Sequence, residues 1–156
     1  MENVMSKKVV FQNSGILKES LVIALRFTCM ALFIYTAYAK IIDHERFLNG
    51  LLRVHIINGL AVYVSYMVPI FEIIIALLIL IPQTARLGLY AFVGLMAIFT
   101  GYIVSVLIWE QKLPCHCGGA IEKLSWSQHI WFNLAYILAA LFALWLIKTK
   151  KYILKN

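Results

Sequence analysis

Residues 60–81, LAVYVSYMVPIFEIIIALLILI, decide the fold of this chain. Glu72 is the only charged residue among these 22. A helix needs about 20 mostly apolar residues to cross the hydrocarbon core of a bilayer. In lipid, every backbone N–H and C=O must be paired within the structure, so such a run is a helix. Three further stretches meet the same rule: roughly residues 21–39, 87–109 and 130–147. The chain has 156 residues, is 63% hydrophobic and has a mean hydropathy of +0.87. Soluble domains are closer to half apolar. The expected fold is therefore an all-α membrane protein. It is a four-transmembrane-helix bundle with no separate soluble domain. Residues 1–19 read as a cytoplasmic N-terminal segment, 20–147 as the membrane domain and 148–156 as a basic cytoplasmic tail.

The links carry their own signals. Residues 41–58 are too polar to cross, but Phe47, Leu48, Leu51, Leu52 and His55 fall at helical spacing. They predict a short amphipathic helix in the first extracytoplasmic link, on the outer surface or capping the bundle. His44 and His55 are expected in solvent or at the rim. Pro69 should kink the second span or free a carbonyl there. Pro82-Gln83-Thr84 predicts a tight turn, making spans two and three antiparallel neighbours. Gly88, Gly94 and Gly101 predict close helix contacts along span three. Ser125 and Gln128 have capping-box spacing before span four. Trp109, Trp126, Trp131 and Trp145 fit an aromatic belt at the two interfaces.

The net charge of +7 could suggest nucleic acid, but its placement points to a membrane. Nine Lys and Arg residues lie on the side of the termini and link two: Lys7, Lys8, Lys18, Arg26, Arg86, Lys148, Lys150, Lys151 and Lys155. Five lie in links one and three: Lys40, Arg46, Arg53, Lys112 and Lys123. The positive-inside rule places both termini in the cytoplasm and links one and three outside. The basic tail then serves retention and contact with anionic lipid. Ala37-Tyr38-Ala39 resembles a signal-peptide cleavage site, but the run before it is long and contains Arg26, so span one is expected to stay.

Link three holds Pro114-Cys115-His116-Cys117-Gly118-Gly119. Outside the cytoplasm thiols can oxidise. A disulfide between cysteines one residue apart is strained, and strain makes it more oxidising. A protonated His116 would favour the thiolate, which is the nucleophile. Three readings stay open at this point: a redox-active pair, a structural pair in a non-enzymatic scaffold or chaperone, and a metal site. The metal set would be Cys115, His116 and Cys117, with His129 as the fourth ligand. Cys29 lies too deep in span one to join them and reads as a small packing residue.

Glu72 is the only acid well inside a span. Intramembrane acids face the bundle interior. Its candidate roles are proton transfer to a bound quinone, a buried bond to Arg26 or a tyrosine, or a protonated structural hydrogen bond. Arg26 and Lys40 lie near opposite ends of span one, and both are expected to snorkel to an interface.

Several of these residues together resemble the MauE/DoxX group of small bacterial membrane proteins, the MauE branch most closely. The resemblance covers about residues 20–147. It rests on Arg26 and Lys40 at the ends of span one, the Phe47-containing link, Pro69-Ile70-Phe71-Glu72, and Cys115-His116-Cys117-Gly118-Gly119 before the last span. It implies a four-span bacterial inner-membrane protein supporting disulfide formation or electron delivery outside the cytoplasm, with methylamine dehydrogenase maturation as the named context. Cys115 and Cys117 would be the redox pair, with His116 beside them. The partner would be an extracytoplasmic thioredoxin-like or cysteine-containing protein. Apart from the resemblance, the intramembrane charges themselves make Glu72 and Arg26 the candidates for a quinone or proton site. The MauE loop often carries an aromatic after Cys-Gly-Cys, whereas His116 and Gly118-Gly119 fill those places here. Four-span quinone-linked thiol oxidases use two cysteine pairs. This chain has one in its links, so a partner must supply the second or the single pair must serve twice.

Overall fold

The structure is a computed structural model. It describes the backbone of residues 2–54, 58–109 and 126–153, and the side-chain surroundings of 16–54, 58–108 and 127–148. Five α-helices follow in order: α1 Glu2–Ile42, α2 His44–Leu52, α3 Ala61–Leu80, α4 Ala85–Trp109 and α5 Trp126–Ile153. No strand occurs among the described residues. Helices α1, α3, α4 and α5 contain four segments long and apolar enough to span a membrane: Ile16–Ile42, Asn58–Leu80, Ala85–Ile108 and Ser127–Lys148. Helix α1 is longer than its apolar run and continues back to Glu2. Gly15 does not break it, because one glycine costs a helix only about 1 kcal/mol relative to alanine.

The four long helices meet around one core. Cys29, Leu32 and Phe33 of α1 pack with Ile75, Ala76 and Ile79 of α3, with Leu89, Phe92 and Met96 of α4, and with Ala140, Ala143 and Leu144 of α5. Lipid offers no hydrophobic drive between helices, so close packing and small residues must hold them. Ala76, Ala140 and Ala143 supply the small positions. Phe33 and Phe92 fill the centre, with ring centroids 4.3 Å apart. Asn133 on α5 donates to the Thr100 hydroxyl on α4 at 3.3 Å. The outward faces are rich in large apolar side chains, as contact with lipid requires.

The α3–α4 turn is closed by hydrogen bonds. A helix leaves its last four carbonyls without intrahelical donors. In α3 these belong to Leu77, Leu78, Ile79 and Leu80. Ile81 N–H donates to Leu77 O at 3.2 Å, and the Thr84 hydroxyl donates to Leu78 O at 2.9 Å. The Arg26 guanidinium reaches from α1 to Ile79 O at 2.6 Å and Leu80 O at 3.3 Å. All four carbonyls are satisfied, and a cation sits at the negative end of the helix dipole. A Cβ on Gly88 would lie 2.7 Å from the backbone nitrogen of Ile79, so α4 starts against the end of α3. Gly94 and Gly101 meet nothing within 4 Å. The expectation that all three glycines make close contacts holds only for Gly88. The other two lie on exposed faces of α4.

Helix α2 caps the other end of the bundle. Phe47 and Leu51 are buried against Ala61, Val64, Val68 and Tyr102. Leu48 packs alongside, and Leu52 stays exposed. The His44 ring lies 4.4 Å from Tyr66, and its Nε2 is 3.2 Å from the Ser65 hydroxyl. That hydroxyl donates to Val62 O at 2.7 Å, so Nε2 is the donor to it. Pro69 lies inside α3 without ending it. Trp131 and Trp145 project outward near the two ends of the last span. His55, Ser125 and the side chains of Trp109 and Trp126 lie outside the described residues.

Candidate functional site

Glu72 is fully buried on α3 and faces α1. Its Oε1 lies 2.7 Å from Lys40 Nζ and 3.1 Å from the Thr36 hydroxyl. Thr36 and Lys40 are one helical turn apart on α1, and Lys40 Nζ also donates to Thr36 O at 3.4 Å. The ammonium sits 5.8 Å from the centre of the Phe47 ring and 5.7 Å from that of Phe99, within cation–π range. Glu72 Oε2 is buried and has no hydrogen-bond partner among the described residues.

Lys40 does not snorkel outward, as its place at the end of span one suggests. Side chains on a helix lean back toward its N-terminus. Lys40 therefore drops toward Thr36 and the bundle interior. Arg26 leans the same way, toward the far end of α3, where it meets Ile79 O and Leu80 O. These residues lie seven and eight positions beyond Glu72, about 10–12 Å along the helix. Glu72 thus takes Lys40 as its partner, and neither Arg26 nor a tyrosine. Helical side-chain direction was the signal available in the sequence, and it was missed. Thr36 had no distinguishing sequence signal.

The pair sits at the wall of a cavity of about 440 Å³. Its lining is mostly apolar, with Phe47, Phe71, Phe99 and Phe132 among the walls. Its polar groups are Thr36, Lys40, Glu72, Tyr102, His129 and Asn133. The lining comes from the C-terminal end of α1, from α2, from the first half of α3, from the second half of α4 and from the start of α5. That is the end opposite the Arg26–Gly88 closure. The chain leaves α4 at Trp109 and enters α5 at Trp126 at this same end. Cys115, His116 and Cys117, the redox candidates and three of the four metal candidates, belong to that connection. They lie outside the described residues. His129, the fourth metal candidate, lines the cavity. Among the described residues no three His, Cys, Asp or Glu side chains converge as a metal site. Cys29 is buried in the core one helical turn from Phe33 and is not among the residues that line this cavity.

The fold and this site describe a multi-pass α-helical membrane protein in contact with lipid, with a buried ion pair beneath a capping helix. The chain belongs to the MauE family: the family described as methylamine utilisation protein MauE matches residues 18–146. No curated protein and no solved structure matches it significantly.

Proposed function

We propose that this chain is a redox protein of the bacterial cytoplasmic membrane. Its Cys115-His116-Cys117 link exchanges disulfides with an extracytoplasmic thioredoxin-like or cysteine-containing protein, or delivers electrons to one. Both termini are cytoplasmic in this reading. In the exchange, a Cys thiolate attacks one sulfur of the partner's disulfide and forms a mixed disulfide. The second cysteine displaces the partner, which leaves with two thiols while Cys115 and Cys117 are oxidised to a disulfide. The reverse sequence oxidises the partner.

The observation that carries the reading is a thiol pair one residue apart inside the MauE-matched span. The charge asymmetry supports an outer location for it. The family description supports a role in methylamine utilisation. The test is thiol trapping in cells. A Cys117→Ser variant should accumulate mixed disulfides that mass spectrometry can identify, and the Cys115→Ser/Cys117→Ser variant should accumulate none. A pair that stays permanently oxidised and traps nothing would make the protein a scaffold with a structural disulfide.

A further inference from the structure

We propose that the cavity beneath α2 binds a quinol head whose lipid tail leaves the protein between α3 and α4. At about 440 Å³ the cavity falls in the ordinary range of ligand sites, roughly 300–1,000 Å³. Three lining residues are well exposed: Met67 at 47%, Phe71 at 51% and Ile98 at 68%. They sit on α3 and α4, so the cavity opens sideways, between those helices, into the bilayer. Its occupant therefore comes from the lipid phase.

The polar end defines the head. Glu72 Oε2 is a buried acceptor with no partner among the described residues, which is costly unless a donor reaches it. Lys40 carries three N–H donors, and two are used by Glu72 Oε1 and Thr36 O. A head that donates an O–H to Glu72 Oε2 and accepts from Lys40 Nζ completes both. An anionic lipid head fits poorly, because it would bring its charge against the open carboxylate oxygen. A plain alcohol lipid satisfies the polar groups but not the walls. Phe47, Phe71, Phe99 and Phe132 make the walls largely aromatic, which suits a flat aromatic head.

Binding of the quinol rests on this geometry alone; its being the reduced product of an electron transfer rests on the thiol chemistry proposed above. Closing Cys115 and Cys117 to a disulfide releases two electrons and two protons, which are what a quinone takes up on becoming a quinol.

Purified full-length protein in lipid nanodiscs should be titrated with decylbenzoquinol, decanoate and decanol. We expect one equivalent of the quinol to bind, with decanoate and decanol failing to displace it at equal concentration. Glu72→Gln removes a charged acceptor and should weaken binding by about tenfold to a hundredfold. Leu95→Trp, which fills the cavity from α4, should abolish binding while the helical melting curve persists. Equal binding of decanol or decanoate, or undiminished binding in Leu95→Trp, would overturn the proposal. The Cys115→Ser/Cys117→Ser variant separates the two readings. Quinol binding by that variant, with no partner trapped by the single-cysteine protein, leaves this site standing and removes the thiol function. Trapped partners with no quinol binding do the reverse.

Discussion

Lys40 and Glu72 carry most of the chemistry visible in the described residues. A buried ion pair gains little over a well-packed apolar pair, but breaking it leaves one uncompensated charge. Only 1% of the Glu72 side chain and 12% of the Lys40 side chain are exposed. Lys40→Met should therefore destabilise the protein by about 3–5 kcal/mol, and Lys40→Met/Glu72→Leu should recover most of that. Thermal unfolding of the three proteins in one detergent gives the comparison. A double variant less stable than the single would show that the pair is not the coupled unit. Cys29 stands apart, buried among apolar side chains of the core. Cys29→Ala should leave thiol trapping at Cys115 and Cys117 unchanged. Loss of trapping in that variant would bring Cys29 into the redox chemistry.

The helices are joined differently at the two ends of the bundle. At the α3–α4 turn, backbones approach directly, and Gly88 is the residue that permits it. Gly88→Ala places a methyl against the Ile79 backbone nitrogen, which cannot move aside as a flexible side-chain tip could. It should cost about 1–3 kcal/mol, as overpacking does, whereas Gly94→Ala, in open space on the same helix, should be neutral or slightly stabilising. Melting temperatures of the pair distinguish these outcomes, and equal losses would count against the close approach at Gly88. At the other end no such closure occurs among the described residues. Phe47 and Leu51 of α2 cover the helices instead, and the cavity lies beneath them.

For the whole molecule, four crossings are an even number, so the two termini share one side of the membrane whichever way the bundle is inserted. Reporter fusions at residues 1 and 156 should agree, and a reporter in the exposed part of α2, at Asn49, should give the opposite answer. Opposed termini would mean that one of the four segments does not cross. The charge bias is the basis for the proposed direction, with the termini in the cytoplasm.

Much of this architecture was legible in the chain itself. Contiguous apolar runs specify spans, because lipid leaves a backbone no other way to pair its polar groups. The spacing of Phe47, Leu48 and Leu51 specified α2, and Glu72 stood out as the one acid deep in a span. Tertiary structure alone decided what the acid does. Lys40 and Arg26 are equivalent in a linear reading, two cations on one span. Their levels against α3, and the lean of side chains along α1, gave one to Glu72 and the other to the carbonyls of Ile79 and Leu80. The same holds for the glycines, of which only Gly88 meets a backbone, and for the cavity. A void exists between helices and has no counterpart in the order of residues along any one of them.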